Sequence, residues 1–111
     1  MKLITAIIRP EKLDELTRAL IDNQAHGLTV TEVRGFGRQF GQFAVTPSPA
    51  RMPYLHKVRL DILAHDDEVE TLVGAIAKHA RTERIGDGKI WVTPVDGALR
   101  VRTGERDHAA R

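Results

Sequence analysis

The chain has 111 residues and no cysteine. That absence excludes a disulfide framework, a thiolate nucleophile and a thiolate metal ligand, and it leaves the redox compartment unmarked. Long apolar runs are also missing: nothing approaches the roughly 20 apolar residues of a membrane helix, and no early segment resembles a signal peptide. A cytoplasmic protein is expected. Net charge is small, because 17 Lys and Arg face 15 Asp and Glu to leave +2, which is too little to imply nucleic acid. Any positive field must be local. No nucleophile has a convincing base beside it, so a catalytic constellation is not expected. The length suits one domain over 1–111, and 41% hydrophobic with 29% charged residues describes an ordinary globular chain.

The apolar positions alternate between strand and helix patterns. Lys2 to Arg9 is nearly continuous in Leu, Ile and Ala, as in a strand buried on both faces. Pro10 stops it and suits the first turn of a helix carrying Leu13, Leu16, Ala19 and Leu20 at helical spacing, with His26-Gly27 as the exit. Leu28 to Gly35, rich in Thr and Val, predicts a second strand. Between Gly37 and His56, Pro47, Pro49 and Pro53 break any period, which predicts a long loop of functional character. Lys57 to Leu63 puts Val58, Leu60 and Ile62 on one strand face. Asp66 is the expected cap of a helix carrying Val69, Leu72, Val73, Ile76 and Ala80. Ile90 to Val92 is the fourth strand, and Gly97 to Thr103 a short strand or ordered tail. The order strand-helix-strand, loop, strand-helix-strand predicts an α+β, ferredoxin-like split arrangement with an antiparallel sheet. Its helices cover one sheet face, so the other calls for a second copy.

Gly86-Asp87-Gly88-Lys89, just before the fourth strand, carries the sharpest chemistry. Its glycines let backbone approach an anion, and Lys89 adds a mobile positive charge. An Asp-Gly turn is also an ordinary way into a strand. Two further segments favour the anion reading: the glycine-rich, basic Gly35-Phe36-Gly37-Arg38-Gln39-Phe40-Gly41, and Arg100-Val101-Arg102, where strand alternation would put both arginines on one side.

Met1 to Pro10, Gly27 to Gln39, Thr82 to Val92 and Arg100 to Glu105 together resemble the PII family, trimeric cytoplasmic sensors of nitrogen and energy status, over nearly the whole length. The resemblance implies that the turn within about 82–90 is a B-loop gripping the phosphates of ATP or ADP through Gly86, Asp87, Gly88 and Lys89. It implies Thr29 and Leu63 at the base, Gly37, Arg38 and Gln39 on the phosphate side, and Arg100 and Arg102 adding charge, partly from a neighbouring subunit. Gln39 would help bind Mg²⁺ and 2-oxoglutarate, and Lys57 would pair with a carboxylate of that acid; a strand-edge lysine in solvent is the plain alternative. Such a protein is a homotrimeric regulator with at most slow incidental ATP hydrolysis, acting without nucleic acid or membrane insertion. The strand or tail at 97–111 completes the domain.

The segment at about 37–56 corresponds to the family's T-loop, which clasps protein partners such as an ammonium channel, another transporter or a metabolic enzyme. Arg51 or Ala50 stands where family members carry the uridylylated tyrosine, so that modification cannot occur there. Tyr54 reads as a packing aromatic and Ser48 as a turn former between prolines. A divergent regulator of a metal-efflux or inorganic-carbon transporter, with a different effector, is the alternative function. Of the five histidines, His56 with Met52 gives too few ligands for a soft-metal site, and His26, His65, His79 and His108 read as isolated surface residues without ligand spacing.

Overall fold

The computed structural model describes residues 1–36 and 54–110. Four strands, β1 (Lys2–Ile8), β2 (Thr29–Gly35), β3 (Leu55–Ala64) and β4 (Lys89–Pro94), alternate with helices α1 (Leu13–Asp22) and α2 (Val69–Ala80). The sheet order is β2-β3-β1-β4 and every neighbouring pair is antiparallel. This is the expected ferredoxin-like order, with β1 and β3 in the centre.

From Lys57 onward, alternation along β3 assigns the two faces: Val58, Leu60, Ile62 and Ala64 are buried, while Lys57, Arg59, Asp61 and Leu63 between them are half-buried. The buried set joins Ile4, Ala6 and Ile8 of β1 against Leu16 and Leu20 of α1 and Leu72, Ala75 and Ile76 of α2. β1 was expected to be buried on both faces. Only its helix side is so in one chain, because Leu3 and Ile7 on the opposite side are half-exposed. Thr5 is the exception there: it is fully buried and donates to Asp61 Oδ1 at 2.8 Å, while Arg59 holds the same carboxylate at 3.0 Å.

Several boundaries move for local reasons. The first helix ends at Asp22 rather than at His26-Gly27: Asn23 donates to the Ala19 carbonyl from backbone and side chain, and Gln24 takes the left-handed conformation (φ 65°) that turns the chain. At the second helix the cap is His65, not Asp66, because Glu68 reaches back to accept from the His65 amide at 2.8 Å. Asp66 pairs instead with the Met1 ammonium at 2.9 Å. β3 starts at Leu55, two residues earlier than expected, since Leu55 and His56 pair with Gly35 and Arg34. The tail is no strand: it folds back on itself through the Leu99–Arg106 bridge, with a turn over residues 101–103 and a short 3-10 turn at Asp107–Ala110.

Leu60 is fully buried on the central strand beneath both helices, so Leu60→Ala should cost about 2–5 kcal/mol in urea denaturation at fixed protein concentration with little change in m-value.

Candidate functional site

The turn that enters β4 is organised by one carboxylate. Asp87 accepts from the backbone amides of Thr82 (2.7 Å) and Glu83 (2.8 Å) and from the Thr82 hydroxyl, and it accepts from Arg9 Nε at 3.0 Å. Burial raises its pKa, but these donors together outweigh burial and hold the carboxyl well below the usual carboxylate range. Arg9, at the end of β1, also donates from Nη2 to the Ile85 carbonyl at 2.6 Å. The arginine thus ties the turn to the end of the sheet at two points.

The glycines are required by geometry. Gly86 and Gly88 have φ of 104° and 101°, a region that L side chains rarely adopt. At Gly88 the approach is also steric: a Cβ there would stand 1.7 Å from the Ile7 carbonyl oxygen. Among the described residues, no hydrogen bond takes up the amides of Gly86 and Gly88. Successive backbone N–H groups left in such a turn form an anion-binding concavity.

Cations surround the turn. Lys57 Nζ donates to the Gly86 carbonyl at 2.7 Å; burial first, and then the charge of Arg9, lower its pKa below the ordinary lysine value. The solvent reading of Lys57 is therefore set aside, since the ammonium is half-buried against the turn. A cleft of about 220 Å³ opens between the end of β1 (Ile7, Ile8), the end of α2 (Ala80, Arg81) and the turn (Gly88, Lys89). Ligand pockets usually measure about 300–1,000 Å³, so this cleft alone is too small to enclose a nucleotide.

Of the other expected site residues, Thr29 pairs with Asp61 and Leu63 with Leu3, on the sheet face away from the helices. Lys89 pairs with Ile7 on the same face. Leu3 and Ile7 are four residues apart, which places Leu63 about 13 Å along the sheet from the turn. Arg100 and Arg102 are exposed in the tail's turn, and Arg100 Nε lies 3.5 Å from Glu105; the strand alternation expected to align them is replaced by that turn. Gly37, Arg38, Gln39, Ser48, Ala50, Arg51 and Met52 lie outside the described residues. Tyr54, at the base of that segment, meets Phe36 edge-on with ring centroids 5.6 Å apart. Arg9, the residue that fixes the turn, was missed by sequence reasoning. The only signal was an arginine held in place between a buried strand and a proline.

The histidines also need correcting. His65 is only 6% exposed and its ring stacks on that of His108 at 3.3 Å. His26 Nε2 lies 3.8 Å from Glu68 Oε2, and His79 Nδ1 meets Glu15 at 2.9 Å across the two helices. His56 sits exposed on β3 opposite Arg34. Among the described residues no helix is long and apolar enough to cross a membrane.

Comparison with known proteins agrees with this architecture. The family model described as nitrogen regulatory protein P-II matches residues 1–105. The chain is 46% identical to the nitrogen regulatory protein P-II of Synechocystis sp. over 111 residues, covering 99% of each chain. It is 48% identical to nitrogen regulatory protein P-II 1 of Escherichia coli over 111 residues, again covering 99% of each. It is 50% identical to nitrogen regulatory protein P-II 2 of Methanothermobacter thermautotrophicus over 109 residues, covering 95% of this chain and 92% of that one. The fold and these matches define a small signal-transduction regulator rather than an enzyme. The chain belongs to the nitrogen regulatory protein P-II family.

Gly88→Ala should lose at least about 1–2 kcal/mol in urea denaturation, from the left-handed backbone alone, since the Ile7 carbonyl leaves no room for the methyl. Asp87 has a folded pKa below its unfolded one, so its stabilisation is complete above the unfolded value of about 3.9 and is lost as pH falls from there toward the folded value. The stability gap between wild type and Asp87→Asn should therefore be full at pH 5–7 and narrow as denaturation is repeated at lower pH, between about 4 and 2.

Proposed function

We propose that this protein senses ATP or ADP together with Mg²⁺ and 2-oxoglutarate, and relays their binding to a protein partner through the segment between Gly35 and Leu55. The observation that carries this reading is the pinned turn. Its two positive-φ glycines present backbone amides beside Lys89, while Asp87 is consumed in holding the turn to Arg9 and Thr82. In this scheme Gly86, Gly88 and Lys89 take the phosphates, and Asp87 serves as a positioning residue. Lys57, whose ammonium gives one hydrogen bond to the Gly86 carbonyl, brings its positive charge to a carboxylate of the acid. Gln39 shares the metal and the 2-oxo acid, and a divalent magnesium ion suits their hard oxygen donors.

The site is completed by another copy of the chain. The distance between Leu63 and the turn, the small volume of the cleft and the exposed arginines of the tail all fit a homotrimer. So does the sheet face bearing half-buried Leu3, Ile7 and Leu63 and exposed Trp91. Thr29 and Leu63 of one copy then face the base, with Gly37 and Arg38 on the phosphate side and Arg100 and Arg102 of a neighbour adding charge. The segment from 37 to 53, whose sequence contains no tyrosine and three prolines, selects a partner such as a transporter or a metabolic enzyme.

Calorimetry on the full chain should show MgATP binding that tightens when 2-oxoglutarate is added, and Lys89→Ala should weaken it at least tenfold. Light scattering should give three times the chain mass. Absence of MgATP binding overturns the reading, and binding indifferent to 2-oxoglutarate removes the acid from it.

A further inference from the structure

The C-terminal tail is a closed hairpin with its basic residues at the tip. The Leu99–Arg106 bridge is extended by the Arg100 amide on the Glu105 carbonyl and the Asp107 amide on the Ala98 carbonyl, both at 2.8 Å, and Asp107 Oδ1 accepts from the Ala98 amide at 3.1 Å. The Gly104 amide closes the turn on the Arg100 carbonyl at 2.8 Å, with Gly104 at φ 74°. There Arg100, Val101 and Arg102 stand exposed, Val101 at 95%. One end of the hairpin continues from β4, where the Val95 amide meets the Met1 carbonyl at 3.1 Å. The other end is held by a histidine from a distant part of the chain.

His65, at the corner between β3 and α2, is buried and uses both ring nitrogens. Nε2 stands 2.6 Å from the His108 carbonyl oxygen. A carbonyl only accepts, so Nε2 carries the proton. That tautomer leaves Nδ1 as the acceptor, and it takes the Glu68 amide, shared with the His65 carbonyl, in the capping box that opens α2. The His108 ring stacks on the His65 ring, with centroids 3.3 Å apart and planes 18° from parallel. One side chain therefore has two separable roles: Nδ1 holds the helix start and Nε2 holds the tail. The two histidines are 43 positions apart, so neither role shows as spacing in the sequence.

We propose, resting on the reading that Arg100 and Arg102 add charge to the phosphates of a nucleotide, that His65 is the positioning residue for both arginines. A hairpin hung from β4 alone points its tip in many directions, and that freedom is lost when the arginines meet a phosphate. Anchored at His108 as well, the hairpin holds its tip in one direction before any ligand arrives. Less of the arginines' attraction is then offset by ordering the tail. The clamp sits on the body of the same chain, whereas the phosphates belong to the cleft of a neighbouring copy. His65 thus sets affinity at a cleft that it does not line.

Two amide substitutions separate the roles, because Asn places its amide near the position of Nδ1 and Gln near that of Nε2. His65→Asn keeps a capping acceptor and loses the donor to the tail, whereas His65→Gln keeps that donor and loses the cap. Hydrogen exchange of the full chain without nucleotide should show the amides of Arg100, Gly104 and Asp107 exchanging about tenfold faster in His65→Asn, with α2 protection and Tm close to wild type. Calorimetry should show MgATP binding about fivefold weaker in His65→Asn and close to wild type in His65→Gln, whose Tm falls instead. Arg100→Ala with Arg102→Ala should weaken MgATP as well, and adding His65→Asn should weaken it no further, since a clamp acts only through what it carries. His79→Ala is the control and should match wild type in exchange and affinity. Unchanged tail exchange in His65→Asn overturns the clamp. A loosened tail with unchanged MgATP affinity, or additive losses in the triple variant, overturns the positioning role. Should the wild type fail to bind MgATP, the nucleotide reading and the positioning role fall together, and tail exchange alone decides the clamp. Should His65→Gln not fold, His65→Asn and the triple variant decide.

Discussion

The ion pair between Arg9 and Asp87 is the constraint on which the functional end of this molecule depends. It joins the residue that follows the central strand β1 to the turn that enters β4. Asp87 gathers two amides and a hydroxyl from the turn while its outer oxygen meets the guanidinium, 3.0 Å away. A charge-assisted, multiply bonded carboxylate of this kind is worth more than an exposed pair. With the turn fixed, Gly88 can press on the Ile7 backbone and Gly86 can offer its carbonyl to Lys57. The phosphate-binding character proposed for the turn is therefore borrowed from the rigidity of β1.

The sheet divides the labour between its faces. One face carries an aliphatic core shared with both helices and contributes only stability. The other interleaves Thr5, Arg59 and Asp61 with Leu3, Ile7 and Leu63, and this mixed texture is that of an interface more than of a solvent surface. A lone buried threonine satisfied by an aspartate that is itself held by an arginine shows how a polar atom is accommodated away from water within the chain itself.

The fold was largely legible because its signals are periodic and local. Strict alternation from Val58 to Ala64 and the helical stripe from Val69 to Ala80 stated their faces outright, and the strand-helix order left one compact topology. What escaped was settled by hydrogen bonds that no periodicity encodes. Gln24 rather than Gly27 takes the left-handed position, because Asn23 already closes the helix. Glu68, three residues on, moved the cap from Asp66 to His65. In the site, the glycine turn and its lysine were visible as a motif, but the internal donors that hold Asp87 were not. Arg9 and the meeting of His26 with Glu68 depend on contacts across 78 and about forty positions, which a single sequence does not display.

β3 joins two regions that the chain otherwise keeps apart. Lys57 touches the glycine turn, and Tyr54, three residues earlier, stands against Phe36 where the 37–53 segment departs. At about 3.3 Å per residue the two lie roughly 10 Å apart on one stiff ribbon. The strand therefore sets a fixed spacing between the lysine that holds the turn and the root of that segment, because β3 is paired along both edges and the two ends move only together.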